Sequence, residues 1–298
     1  MTSPELRQAL KIIVPFPPGG IDLILKILLP ELENQLGLTI EMINRAGGTG
    51  AVGTLEASQA PPDGQTLLFA SQGPLVYQPQ VNSLAYDVQR SFVPVCRVTC
   101  TPSVLMASEQ SGFKHLADVL AAARAEPGKV NYSSPGPGGL PHIGMAAFAR
   151  LMGLDLTHLP MAGAAAAITA LKQGQAHLIA EQLPTAVALA GKGARIIGVF
   201  APQRVASLPG IATLTEQGCE LSFRSWNALM APAGTPTKIL HALGDACLAT
   251  LIKAGPELNR SMGIDPAYLG YAQTALFVTK ELEAARILIQ KSGLKYAS

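Results

Sequence analysis

Hydrophobic and polar positions along the first hundred residues predict strands and helices in strict alternation. Residues Leu10–Val14 form a β-branched run that predicts a strand, and it stops at a segment rich in proline and glycine, residues 15–20. Leucines between residues 25 and 32 then recur at helical spacing, until Gly37 ends the helix. Further strands are predicted at residues 38–43 and 66–70, with a short helix through Ala57 between them. This order indicates a parallel sheet covered by helices.

The middle of the chain repeats the pattern and predicts a sheet of its own. The predicted strands are at residues 103–107, 130–133, 155–159, 176–180 and 194–200, and the predicted helices between them include residues 116–125, 141–151 and 164–173. A strand near residues 226–231 and two or three final helices fit best as a return to the first domain. We therefore predict one domain from residues 1–101 plus 226–298, and a second from residues 102–225.

Composition and charge exclude several classes of protein. The 298 residues are 48% hydrophobic and 14% charged, with a net charge of +2 and no run of basic residues, so a nucleic-acid or anionic-membrane surface is not expected. The Ala-rich, uncharged stretch at residues 159–171 has only 13 residues, short of the ~20 apolar residues that a membrane span needs. The first residues lack the pattern of a secretion signal, which leaves a cytoplasmic protein and a trimmed mature form both open.

The cysteines and histidines do not predict a metal centre. Four cysteines (Cys96, Cys100, Cys219 and Cys247) are too few for a disulfide scaffold and are interpreted as small core residues. The five histidines form no close pair along the sequence. We therefore expect no metal and no cofactor.

Two glycine-rich turns are the most informative local features. Residues 15–20 and residues 134–139 each follow a predicted strand and open a predicted helix. Backbone N–H groups and the positive end of a helix dipole converge at such a turn, which favours binding of an anion. One turn in each domain predicts a carboxylate or phosphate held between two lobes, and the alternative is that glycine and proline only form tight loops.

A Gly-x-Gly-x-x-Gly sequence at residues 48–53 is the fingerprint of dinucleotide binding. The helix after it is cut short at Pro61, and the next strand ends in Ser71 and Gln72 without the acidic residue that a ribose requires. We therefore do not expect nucleotide binding at these glycines.

Polar residues near the turns have both structural and functional interpretations. Asp22, in the first turn of the first helix, caps the helix or orients the loop before it. His142, in the first turn of the helix after the second glycine turn, lines a pocket or acts as a general base. Glu181 and Gln182 follow an apolar strand, where they meet a ligand or form a solvated turn. An enzyme acting on a small carboxylate or phosphate, with His142 and Glu181 as acid and base, is the alternative to a binding protein.

Motifs spread over the whole chain resemble one family. The matching segments are residues 12–22 (IIVPFPPGGID), 44–48 (NRAGG), 60–68 (APPDGQTLL), 132–136 (YSSPG), 141–142 (PH), 208–214 (LPGIATL) and 231–236 (APAGTP). In this order and spacing they resemble the Bug family, the extracytoplasmic solute receptors of tripartite tricarboxylate transporters.

The resemblance implies a fold and a function. It implies an α/β periplasmic binding protein of the type II-like, Venus flytrap kind, in which each of two domains is a mostly parallel sheet flanked by helices, with a ligand cleft between them. It implies capture of a small carboxylate for delivery to membrane permease subunits, without catalysis, in the periplasm after removal of a signal peptide. We expect a monomer that binds no nucleic acid. A regulatory sensor domain would have the same sequence features.

The resemblance also implies which residues receive the ligand. In the first domain these are Phe16, Pro18, Gly19 and Gly20, with Ser71 and Gln72, and in the second they are Ser134, Pro135, Gly136 and Gly138. We add as candidates the polar and glycine residues near these loops: Asp22, His142, Gly163, Glu181 and Gln182. The resemblance also implies that the glycines at residues 48–53 serve tight packing.

Two departures from the family pattern bear on the ligand. Many members have Tyr-Lys-Gly where this chain has Met161-Ala162-Gly163, and Phe-Asp-Asn or similar where it has Ala180-Glu181-Gln182. The second domain is therefore less cationic and more apolar than usual. We predict a monocarboxylate, or a dicarboxylate with an apolar and even aromatic body, in preference to citrate.

Overall fold

A computed structural model of the protein describes residues 9–19 and 21–295, and these residues form two compact units. The first unit contains the described residues up to Cys100 together with residues 226–283, and the second contains residues 101–225 and 284–295. The predicted boundaries at residues 101/102 and 225/226 lie within one residue of this division. Residues 284–295, predicted with the first domain, instead belong to the second unit, where Arg150 Nη1 donates to Gln290 O.

The first unit is built on a sheet with helices against it. Strand β1 lies between β2 and β3 and is parallel to both, while β9 pairs antiparallel with β3 and β10 pairs antiparallel with β4. The elements are β1 (Leu10–Val14), α1 (Ile21–Leu36), β2 (Ile40–Asn44), α2 (Ala51–Ser58), β3 (Thr66–Ser71), α3 (Gln78–Val81), α4 (Val88–Ser91), the first part of β4 (Phe92–Ser108), most of β9 (Arg224–Pro232), α9 (Thr237–Met262), β10 (Pro266–Leu269) and the first part of α10 (Tyr271–Ser292).

The core of the first unit explains why these segments adopt their structures. Helix α1 presents a stripe of buried leucines at helical spacing, Leu25, Leu28, Leu32 and Leu36, to the strand residues of the same cluster. Helix α9 packs against α1 and the same sheet face. Burial of these side chains is worth roughly 1.5–3 kcal/mol for each large aliphatic residue, so the helices are held to the sheet by this stripe.

The second unit has a sheet with the same parallel arrangement at its centre. Strand β5 lies between β6 and β7 and is parallel to both, and β4 runs antiparallel to β7 and to β8. The elements are the second part of β4, α5 (Leu116–Ala125), β5 (Asn131–Ser134), α6 (Leu140–Leu151), β6 (Thr157–Pro160), α7 (Ala164–Lys172), β7 (Leu178–Gln182), α8 (Leu183–Leu189), β8 (Ala194–Val199) and the last part of α10. The predicted α/β fold class is confirmed by this architecture and by the structural relatives described below.

Aromatic side chains close the core of the second unit. The Phe200 ring lies 4.2 Å from that of Phe223 and 6.3 Å from that of Phe148, measured between centroids. Helix α6 approaches this group at Gly144, where a Cβ atom would collide with the Phe223 ring. The cysteines are free thiols, and Cys96, Cys219 and Cys247 are buried.

Two strands depart from the sequence prediction. Strand β4 begins at Phe92, not at residue 103, and runs for 17 residues with its first part in one unit and its second in the other. Strand β10 lies in a region predicted to be purely helical. It has four residues and is held by pairing of Pro266 with Thr99 and Leu269 with Arg97. Such long-range pairing leaves little signal in local hydrophobic periodicity. Among the described residues, no helix combines the length and the apolar character of a membrane span.

Gly53, the third glycine of the fingerprint at residues 48–53, lies where α2 meets the end of β1. A Cβ atom there would come within 2.7 Å of Arg45 O and 2.9 Å of Pro15 Cα. Close packing against backbone therefore accounts for this glycine, in agreement with the packing interpretation.

We predict that Gly53→Ala destabilises the protein by about 1–3 kcal/mol, because backbone atoms must move to admit the methyl group. The free energy of unfolding, measured by chemical denaturation, tests this. Gly210→Ala is the matched control, since a Cβ there meets nothing within 4 Å, and it should change stability by less than about 0.5 kcal/mol. Equal stability of the two variants would contradict the packing interpretation.

Candidate functional site

In the first unit, the loop at residues 15–19 connects the carboxyl end of β1 to the amino end of α1. Gly19 has a φ of 112°, a conformation that residues with a Cβ rarely adopt. Its N–H donates to Asp22 Oδ1 at 2.5 Å, so the first helical turn folds back onto the loop. Gly20, also predicted to bind ligand, lies outside the described residues.

Asp22 is fully buried at the start of α1. Its Oδ2 atom forms an ion pair with Lys26 Nζ at 2.9 Å. A carboxylate at this end of a helix interacts favourably with the helix dipole. The contacts of Asp22 are thus those of a residue that caps the helix and orients the loop.

Asn44 also holds this loop, although the sequence did not identify it as a functional residue. It ends β2 directly beside Val14 of β1, and its Nδ2 donates to Phe16 O at 2.9 Å. The available signal was an amide side chain at the end of an apolar strand, next to a glycine-rich turn.

Ser71 and Gln72 lie at the carboxyl end of β3, as predicted. Strand β3 is parallel to β1, with Lys11 paired to Thr66 and Ile13 to Leu68, so Ser71 lies at the same edge of the sheet as the loop that follows β1. Gln72 is buried and its Oε1 accepts the N–H of Trp226 at 3.0 Å, which ties β3 to β9. The side-chain oxygen of Gln72 is therefore engaged within the protein.

In the second unit, the loop at residues 134–139 connects β5 to α6. Gly136 and Gly138 have φ values of 147° and 75°. The N–H of Gly136 donates to Ser134 Oγ at 3.3 Å, and that of Gly138 donates to His142 Nδ1 at 3.1 Å. These two N–H groups therefore have partners within the loop and its helix.

Two histidine rings that bond to residues of this loop stack against each other. Tyr132 pairs with His158 across β5 and β6, and the His158 ring lies 4.0 Å from that of His142 and 5.0 Å from that of Tyr132. The Ser134 hydroxyl is 2.8 Å from His158 Nε2. No pattern along the sequence predicts this stack, because adjacent strands bring together residues that are distant in sequence. Within residues 9–19 and 21–295, no group of three or more His, Cys, Asp or Glu side chains is placed to hold a metal ion.

Burial sets the charge of this histidine pair. It lowers the pKa of His142 to about 4, with a smaller contribution from the neighbouring His158, and it also lowers the pKa of His158. Both rings are therefore neutral near pH 7. An unprotonated Nδ1 of His142 is the form that accepts the Gly138 N–H.

Glu181 and Gln182 are the last two residues of β7, not a following turn. Strand β7 is parallel to β5, with Ser133 paired to Ile179, so Glu181 lies at the same edge of the sheet as the loop that follows β5. Gly163, with a φ of 99°, precedes α7 and its N–H donates to Pro135 O at 3.2 Å, so the start of α7 is joined to the same loop. Burial raises the pKa of Glu181, whose Oε1 accepts the N–H of Gln182.

The fold and its helix-opening loops define a class, the two-lobed periplasmic binding proteins, and solved structures bear this out. A periplasmic transporter is 28% identical to this chain with a TM-score of 0.85, and the match covers 97% of this chain and 98% of the transporter chain. An R. palustris protein with adipate is 25% identical with a TM-score of 0.88, covering 97% and 99%. MatC from Rhodopseudomonas palustris with bound malate is 25% identical with a TM-score of 0.81, covering 95% and 98%.

Sequence comparison identifies the family within this class. The profile of the tripartite tricarboxylate transporter family receptor matches residues 24–294. Protein BugT of Bordetella pertussis is 30% identical over 97% of this chain and 90% of its own length, and a UPF0065 protein of Pseudomonas sp. strain P51 is 32% identical over 78% and 70%. The chain belongs to the tripartite tricarboxylate transporter receptor family, as the motifs predicted. Members are substrate-binding receptors, not enzymes, and a periplasmic location is supported.

We predict that acid weakens the native state through His142. The pKa of this residue is lower in the folded protein than in the unfolded chain, so the unfolded state binds the extra proton and stability falls with decreasing pH between about 6.5 and about 4. The slope from this one residue is at most about 1.4 kcal/mol per pH unit.

Chemical denaturation at several pH values measures this slope. His142→Asn keeps a hydrogen-bond acceptor but takes up no proton, so its unfolding free energy should depend less on pH in this window. The same substitution at the exposed His241 is the control. Parallel curves for wild type and His142→Asn would show that His142 does not titrate as described.

Proposed function

We propose that this chain is a periplasmic receptor that binds a small mono- or dicarboxylate and delivers it to the membrane subunits of a tripartite tricarboxylate-type transporter. The observation that carries the proposal is the pair of glycine loops at residues 15–19 and 134–139. Each loop follows a parallel strand and opens a helix of at least 12 residues, in a chain of this receptor family.

The chemistry of these loops fits a carboxylate. The first N–H groups of a helix have no partner within the helix, and the helix dipole adds positive potential at the same end. In α6, Pro141 lacks an N–H and the N–H of Gly138 is bonded to His142, so the N–H groups at the helix start are those of Gly139, Leu140 and His142. Relatives solved with adipate and with malate support the ligand class.

The ligand we propose has an apolar body. Leu23 and Val52, which lie in the first turns of α1 and α2, expose 45% and 51% of their surface, and Phe16 is half-buried in the first glycine loop. In the second unit the segment Met161-Ala162-Gly163 contains no cation, where many family members have a lysine. Glu181, at the end of the strand next to β5, disfavours further negative charge. These features favour a monocarboxylate or an apolar dicarboxylate over citrate.

Gly19→Val and Gly136→Val should each weaken carboxylate binding at least about tenfold, because a β-branched residue shifts a backbone that needs positive φ. Calorimetric titration measures the affinity, and circular dichroism checks folding. Gly112→Val is the matched control, since Gly112 also has positive φ and open space but belongs to neither loop. Unchanged affinity in both loop variants would refute these loops as binding elements.

The ligand class is tested separately by titration with adipate, terephthalate, nicotinate and citrate. We expect at least one of the first three to bind at least about tenfold more tightly than citrate, which equals about 1.4 kcal/mol. Tight citrate binding would overturn the proposed selectivity. Failure of every carboxylate to bind would overturn the receptor function itself.

A further inference from the structure

Asn227, in the middle of β9, has a buried polar atom without a partner. The side chain is 5% exposed, and its Nδ2 donates to Thr99 Oγ1 over a long 3.3 Å. Its Oδ1 atom is buried and makes no hydrogen bond. Buried polar atoms are almost always paired, so this exception requires an explanation.

The position of Asn227 in the sheet explains why its Oδ1 atom has no partner within the protein. In the antiparallel pairing of β3 with β9, Asn227 is directly opposite Ser71, so the two side chains project from the same face as close neighbours. Ser71 is the last residue of β3, and the neighbouring parallel strand β1 leads into the first glycine loop at the same edge of the sheet. Along β9, Leu229 and Ala231 are on this same face and belong to the core beneath α1 and α9. Asn227 thus continues the row of residues beyond the core, toward the edge where α1 begins.

The amide can offer either a donor or an acceptor at this edge. A hydroxyl group both donates and accepts, so Thr99 can bond either end of the amide. Turning the amide by about 180° lets Oδ1 accept from the Thr99 hydroxyl and frees the two N–H bonds of Nδ2. The freed nitrogen is then a donor beside Ser71, which is what a ligand carboxylate oxygen requires.

We propose that Asn227 is a ligand-binding residue of the first unit, which donates from Nδ2 to a carboxylate oxygen while Thr99 holds the other end of its amide. This inference rests on the proposed receptor function and adds a specific side chain to it. In this proposal the loop at residues 15–19, Ser71 and Asn227 together receive the carboxylate in the first unit.

The experiment measures affinity for the tightest carboxylate of the panel. Asn227→Leu removes the amide and should weaken binding at least about tenfold, since hydrogen bonds to charged groups are among the strongest. Asn227→Asp is nearly isosteric and, when ionised, repels the ligand, so it should weaken binding at least as much. Thr99→Val leaves the amide without its anchor and should weaken binding by about threefold.

The pH dependence of Asn227→Asp separates ligand contact from structural damage. Protonation of the new carboxyl restores a hydrogen-bond donor. The affinity gap between Asn227→Asp and wild type should therefore narrow between about pH 7 and about pH 5, whereas a merely destabilised protein would show no such recovery. A constant gap would overturn the inference.

Asn82→Leu is the control, because Asn82 is an exposed amide of the same unit, bonded to Gln78 and remote in sequence from both loops. It should bind as wild type does. Wild-type affinity in both Asn227 variants, with affinity still lost in Gly19→Val, would overturn the role of Asn227 and leave the receptor function standing. Absence of carboxylate binding in the wild type would overturn the receptor function, and this inference with it.

Discussion

The N–H groups at the start of a helix, which lack partners within the helix, are the constraint on which the proposed binding at each glycine loop depends. A helix leaves its first N–H groups without internal partners, and a parallel strand that runs directly into a helix delivers them to the carboxyl edge of the sheet. In this chain, α1 follows β1 and α6 follows β5 in this way. The sheet and the hydrophobic cores hold these helix ends in place, since α1 is fixed by its leucine stripe and α6 by close contact at Gly144. Each fold element therefore contributes to the position of a few backbone donors.

The loops use some of these donors for their own rigidity. Asp22 accepts from Gly19, while Ser134 and His142 accept from Gly136 and Gly138. Internal bonds of this kind shape a loop before any ligand arrives, which lowers the entropy lost on binding. The second loop achieves this with neutral side chains, because burial keeps the stacked histidines unprotonated near pH 7. A charged imidazole there would lose its bond to Gly138.

Much of the fold could be predicted from sequence, because local signals set it. Strand β1 and helix α5 have the predicted bounds, and the glycine turns open helices where expected. What the sequence could not reveal depends on contacts between distant residues. The pairing of β10 with β4, the stack of His142 on His158 and the hydrogen bond from Asn44 to Phe16 all join segments that share no local pattern. Asn227 could not be identified from sequence for the same reason, since its position beside Ser71 follows only from the pairing of β3 with β9.

The near-neutral net charge of +2 is compatible with anion binding once the source of the attraction is considered. Backbone dipoles carry no formal charge, so a protein that relies on them needs no excess of lysine and arginine. Dipoles also act over a short range, which restricts favourable contact to the carboxylate itself and leaves the rest of the ligand to the surrounding side chains. In the function that we propose, the exposed Leu23 and Val52 and the buried Glu181 select what that remainder is. On that proposal the loops recognise the carboxylate, which many ligands share, while apolar neighbours and one buried acid distinguish among those ligands.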